Sequence, residues 1–199
     1  LFDAPFTNYG QTVQYRSQGA IAAARVGAVA SLIRSVTPYS QQTPHTGNMA
    51  YAEDVRRIPH AAITVEHAEL LHRLQDRGER IELLLKMNAQ TLPDAPSRNV
   101  MAEITGSELP NEVVVLGGHI DSWDVGQGAM DDAGGVVAAW EAVRLMKELG
   151  LRPRRTVRVV GWTSEENGGP GGPEYARMHA DEDHVLAMES DGGVFKPFG

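Results

Sequence analysis

The stretch "VVVLGGHIDSWDVGQGAMDDAGGVVAAW", residues 113–140, decides the reading of this chain. It opens on an apolar run, Val113 to Leu116, with the β-branched character of a buried strand. It closes on an Ala- and Val-rich segment with helical spacing. Between the two, residues 117–135 hold one His, four Asp and six Gly. Taken alone, such a loop is most often a solvated turn. Its meaning depends on what else converges on it.

Two more acidic clusters follow predicted strands. "RTVRVVGWTSEE" (155–166) ends in Glu165-Glu166, and "HVLAMES" (184–190) runs into Asp191. Further strands are predicted over "NVMAEITGS" (99–107) and "EVVVLGGHIDS" (112–122). Helices are predicted over "DDAGGVVAAWEAVRLMKELG" (131–150), with Val136, Trp140, Val143 and Met146 on the inner face, and over "PEYARMHAD" (173–181). Alternating strands and helices give an α/β layer fold, whose functional loops lie beyond the strand ends. The three acidic clusters therefore share one edge of one sheet.

The first third has a different texture. "TVQYRSQGAIAAARVGAVASLIRSV" (12–36) begins helical and turns β-like at Ala28. A polar loop with three Pro covers 37–59. A short strand is predicted at 61–65, and a helix at 66–78 with Leu70, Leu71 and Leu74 inward and Gly78 as its stop. "RIELLLKMNA" (80–89) reads as another strand. The Pro-bearing "QTLPDAPSRN" (90–99) is the best domain boundary.

Composition narrows the function. The formal charge of −8 argues against nucleic acid, whose binders carry a basic face. No run approaches the ~20 apolar residues that span a bilayer. The opening "LFDAPFTNYG" lacks the features of a signal peptide and does not begin with Met, so the native start is expected upstream. The absence of Cys excludes disulfides, thiolate zinc sites and thiol catalysis.

Carboxylates brought together repel unless a cation or protons join them. One imidazole among carboxylates suits Zn, Mn, Fe or Co better than Ca or Mg. His119 and Asp121 lie two apart on a strand and point the same way. The Asp121 carboxylate is thus placed to accept the second ring N–H of His119 and fix its tautomer. Glu165 and Glu166 face opposite ways on an extended chain, so one can hold metal while the other meets a metal-bound water. A calcium loop needs alternating Asp/Asn and a distal Glu, and that spacing is absent. Gly126-x-Gly128 is not a dinucleotide loop, because Asp131 stands where the third glycine belongs. G-x-S-x-G and H-E-x-x-H are both absent.

In combination, "GGHIDSWDVGQGAMDD", "LGLRPRRTVRVVGWTSEENGG" and "MESDGG" resemble the co-catalytic zinc exopeptidases that include bacterial leucyl aminopeptidases and glutamate carboxypeptidases. "TVQYRSQGA", "ASLIRSV" and "PHTG" extend the resemblance into the first third. It implies a three-layer α/β/α catalytic domain from residue 93 to 199. It also makes residues 1–92 a protease-associated-like domain inserted into the catalytic one. Further, it implies two zinc ions roughly 3.5–4 Å apart, one held by His119, Asp131 and Asp191 and the other by Asp131 and Glu166. Glu165 would be the general base and Asp121 would orient His119, with a cis peptide between Asp131 and Asp132. Substrates would be dipeptides or short peptides, the setting exported or lysosomal, and homodimers possible.

Family members take a further His for the second zinc, well past the "ESD" segment, and a helical segment before the inserted domain. Both are expected outside these 199 residues, so the chain reads as part of a larger enzyme. His179 on a short helix, read as a surface residue, and His184 at a strand start are poor substitutes for that His. His45 reads as a solvated loop residue. The rival reading is a receptor-like binding module of the same fold, but such relatives lack much of the donor set present here.

Overall fold

A computed structural model describes residues 8–37, 42–45, 47–124 and 126–193. The chain divides into two compact units, Leu1–Leu92 and Pro93–Gly199.

The first unit starts with three short helices, α1 (Tyr9–Thr12), α2 (Gln14–Ser17) and α3 (Gly19–Arg25). Strands β1 (Ser31–Arg34) and β2 (His60–Ile63) pair in parallel as a two-stranded sheet. Helix α4 (Val65–Asp76) follows at once, capped by Thr64, whose hydroxyl accepts the His67 N–H at 3.1 Å. Buried Ser35 donates to the Ile63 carbonyl at 2.7 Å and accepts the His45 N–H at 2.8 Å, tying the polar loop to the strands. Parts of that loop, residues 38–41 and 46, lie outside the described residues. Of the three leucines expected inward on α4, Leu71 and Leu74 are half-buried but Leu70 is 44% exposed.

The strand expected over residues 80–89 is absent. This segment has no regular structure, and Leu84 is 83% exposed. Apolar, β-prone residues do not form a strand without a neighbouring ladder, and no described residue pairs with these.

The second unit is a four-stranded sheet in the order β3-β5-β4-β6. The strands are β3 (Val100–Ile104), β4 (Leu109–His119), β5 (Arg155–Trp162) and β6 (Asp183–Glu189). β3 runs antiparallel to β5, while β4, β5 and β6 are parallel. Helix α5 (Ala133–Glu148) joins β4 to β5, and α6 (Gly171–Met178) joins β5 to β6. The first connection moves one way across the sheet and the second moves back past β4. With right-handed crossovers, the helices fall on opposite faces. Side chains agree with this. Val113, Val115 and Val160 pack with Tyr175 of α6. A Cβ at Gly118, on the other face, would collide with the first turn of α5. On α5 itself Val143 is buried and Val136 and Met146 half-buried, but Trp140 is 39% exposed.

The α6 layer is pinned by a buried charge. Arg158 of β5 bonds Glu182 at 2.6 and 2.9 Å, Glu103 at 2.8 Å and the Tyr175 hydroxyl at 2.6 Å. The hydrogen bonds from Arg158, working against partial burial, hold the Glu182 carboxyl at about 2. A folded pKa depressed below its ordinary value contributes stability above about 4.5, and this is lost as pH falls toward about 2. Glu182→Gln should lower stability at neutral pH by about 3 kcal/mol and flatten the acid limb between those two values. Urea unfolding across pH measures both.

Candidate metal centre

β4 ends on His119, whose ring is fully buried. Its main-chain N–H donates to Asp132 Oδ2 at 3.0 Å. Asp132 has no exposed surface, and its Oδ1 accepts the Gly135 N–H at 3.1 Å as the N-cap of α5. Burial pushes its carboxyl up, and the two amides oppose that without cancelling it. An Asp directly before an amphipathic helix is a cap signal that the sequence itself carries. The peptide joining Asp131 to Asp132 is cis.

That clamp brings Asp131 over the imidazole. His119 Nε2 lies 2.9 Å from Asp131 Oδ1 and 3.6 Å from Asp191 Oδ1. On the other side of the ring, Nδ1 lies 2.8 Å from the Asp121 carbonyl and 3.6 Å from the Asp121 carboxylate. A carbonyl can only accept, so Nδ1 carries the hydrogen. Nε2 therefore faces two carboxylates with a lone pair, unless a proton or a metal sits there. Burial pulls the imidazole pKa down, but Asp131, the Asp121 carbonyl and Asp191 together raise it. Asp191 is pushed up to about 6, first by burial, then by the charges of Asp131 and Asp132.

Donor atoms of His119, Asp131 and Asp191 all lie within 4.8 Å of one another. Bonds of about 2.1 Å in tetrahedral array set donors about 3.4 Å apart. The separations of 2.9 and 3.6 Å from Nε2 bracket that value, so the three residues fit a single zinc-like ion. The Glu166 carboxylate stays outside this group. Burial, then the Asp131 charge, raises its pKa.

Glu165 and Glu166 open a short 3-10 turn after β5, entered through Ser164 at φ 58°. The carboxylate of Asp121 caps it from across the sheet, Oδ1 accepting the Glu165 N–H at 2.9 Å and Oδ2 the Glu166 N–H at 3.1 Å. This differs from the expectation that the carboxylate would accept the imidazole N–H. The carbonyl takes that bond, and the carboxylate is better satisfied by two amides than by one ring nitrogen. Glu165 lines a cleft of about 380 Å³ with Val115, Trp162, Ala187 and Glu189. Burial, then the charge of Glu165, raises the pKa of Glu189.

His179 and His184 take no part in the metal group. His179 has 18% of its side chain exposed, lies against Tyr175 at 4.5 Å and bonds Glu182 at 3.2 Å, so it is not a surface residue. It is drawn inward by the Arg158 network. His184 meets the Tyr175 hydroxyl at 3.0 Å. His45 is exposed in its loop, and the closing segment 194–199 lies outside the described residues.

The model of peptidase family M28 matches residues 99–194. The chain is 56% identical over 201 aligned positions to carboxypeptidase Q of Xenopus laevis and 54% identical to that of Homo sapiens. Each alignment covers 100% of this chain and 43% of the relative, so the chain spans less than half the length of the proteins it matches. Among solved structures, a peptidase M28 precursor from Shewanella amazonensis superposes with a TM-score of 0.88 at 42% identity, covering 93% of this chain and 42% of that one.

The Asp121 cap bears on metal affinity through the placement of Glu166 and the imidazole. Asp121→Ala, made in the full-length protein, should weaken zinc binding about 10- to 100-fold. Competition with a chromophoric chelator reads this, and unchanged affinity would show that the cap is dispensable.

Proposed function

From the premise that residues 99–194 belong to peptidase family M28, we propose that this chain is the metal-binding part of an exopeptidase acting on dipeptides or short peptides. The observation that carries the reading is the His119–Asp131–Asp191 group. His119, Asp131 and Asp191 would hold one zinc, and Asp131 and Glu166, with a donor from the rest of the protein, would hold a second. Zinc, when bound, polarises the scissile carbonyl and makes a water acidic enough to ionise near neutral pH.

The chain's own residues do the remainder. Glu165 takes the proton from the attacking water and returns it to the leaving amine. Asp121 holds the main chain of that base and of Glu166, and its carbonyl keeps the His119 Nδ1–H in place, leaving Nε2 as the donor atom. Asp132 fixes the strand end and helix start that carry His119 and Asp131. The name of the curated relatives points to removal of a terminal residue. An exported setting is part of the same reading and rests on the family resemblance; no described helix is long and apolar enough to cross a membrane.

The full-length protein should lose dipeptide hydrolysis on dialysis against a chelator and regain it with zinc. Hydrolysis indifferent to the chelator would overturn the metal mechanism. Glu165→Gln should lower turnover by about 10²–10⁴-fold with zinc content near wild type. If the variant instead loses its zinc, Glu165 is a ligand rather than the base.

A further inference from the structure

The loop that carries Glu165 and Glu166 runs from Thr163, just past β5, to Gly171 at the start of α6, and Asp121 holds its middle. Its two ends meet at one side chain. Asn99, half-buried one residue before β3, accepts the Thr163 N–H on Oδ1 at 3.0 Å and donates from Nδ2 to the Gly171 carbonyl at 2.8 Å. The Ser97 and Thr163 hydroxyls lie 2.6 Å apart beside this clamp. A Cβ at buried Gly171 would collide with Asn99 Oδ1 and crowd the main chain of Thr163, so the two ends of the loop are drawn close together.

The clamp matters because of what it encloses. Ser164, Gly168 and Gly169 hold positive φ, at 58°, 100° and 61°. For Ser164 that conformation persists only where its surroundings impose it. Within the loop, the N–H groups of Asn167 and Gly169 donate to the Ser164 carbonyl, and that of Gly168 to the Glu165 carbonyl. So bonded, the loop is one stiff piece, and the placement of its ends sets the direction of the Glu165 side chain. A primary amide is the group that fits, because one end of the loop demands an acceptor and the other a donor. A carboxylate of the same shape keeps the acceptor alone. Asn99 stands outside the metal group, so its route to the reaction is the loop.

We propose that Asn99 is a positioning residue: by joining the ends of the 163–171 loop, it sets the Glu165 carboxylate against the attacking water. The proposal rests on the exopeptidase reading, with Glu165 as its base. Dipeptide hydrolysis by the zinc-loaded full-length protein tests it, with zinc content and thermal unfolding measured for each variant. Asn99→Ala should lower kcat by about 10- to 100-fold, with KM within about threefold of wild type and zinc content unchanged. In a Glu165→Gln background the same substitution should cost less than about threefold, because the group it positions is already gone. Asn99→Asp, which keeps the acceptor for Thr163 and loses the donor to Gly171, should fall by a smaller factor in the same pattern. It carries the test if Asn99→Ala does not fold.

A lowered unfolding temperature with kcat intact makes Asn99 a structural clamp and overturns the proposal. An equal loss in both backgrounds overturns it as well, since Asn99 then does not act through Glu165. So does a loss of zinc in the variants, which would place the effect on Glu166 rather than on the base. Wild type without hydrolysis sinks the exopeptidase reading before any variant is read. A hydrolysing wild type with any of those three outcomes sinks the role of Asn99 alone.

Discussion

The site depends on one buried carboxylate. Asp132 accepts the main-chain N–H of His119 from the end of β4 and that of Gly135 from the first turn of α5. Each of these groups would lose roughly 1–3 kcal/mol if left unpaired in the interior, and the carboxylate more. Strand end and helix start therefore cannot separate without breaking both bonds. A Cβ at Gly118 or Gly135 would collide with Asp132 itself. The two glycines and the aspartate form a single steric device, and Asp131 is delivered to the imidazole as its immediate neighbour.

A second carboxylate does the same work on the other side of the ring. Asp121 spends both oxygens on the amides of Glu165 and Glu166 and its carbonyl on His119. The aspartates thus divide into two kinds. Asp121 and Asp132 are consumed by main-chain N–H groups and define where the backbone goes. Asp131 and Asp191 turn toward the imidazole, where their mutual repulsion favours a cation. Because strands β4, β5 and β6 are parallel, all of these residues come from C-terminal ends on one edge of the sheet, where open α/β folds bind ligands.

Most of this was legible in the sequence wherever the signal was local. Strand and helix periodicity located β3 to β6 with α5 and α6, the position of three acidic clusters after strands put residues 119–132, Glu165-Glu166 and Asp191 on one edge, and the family resemblance singled out His119, Asp131 and Asp191. What failed was set by partners. Residues 80–89 have a strand's composition, but a strand exists only against a neighbour, and composition carries no record of one. Trp140 and Leu70 follow helical periodicity, yet periodicity says which face is apolar and not what lies against it. The role of the Asp121 carboxylate was misjudged because same-side spacing with His119 is a local inference, whereas the amides that claim it come from 44 and 45 residues away. Arg158 was missed for the same reason. A charge at an inward strand position hints at a buried pair, but Glu103 and Glu182 lie far off in sequence.

The Arg158 network and the metal centre share one sheet and follow opposite electrostatic logic, and the contrast separates structure from function. In the network, every strong charge has its counter-charge: Arg158 sits between Glu103 and Glu182 and bonds Tyr175, and Glu182 is held at about 2. Nothing there calls for a ligand. At the strand ends the imbalance runs the other way. Asp191 is pushed up to about 6 and Glu166 and Glu189 are raised, each first by burial and then by like charges. A folded domain that keeps carboxylates in so unfavourable a grouping gains no stability from it, so the grouping is explained by what it binds. A dication answers the repulsion around His119.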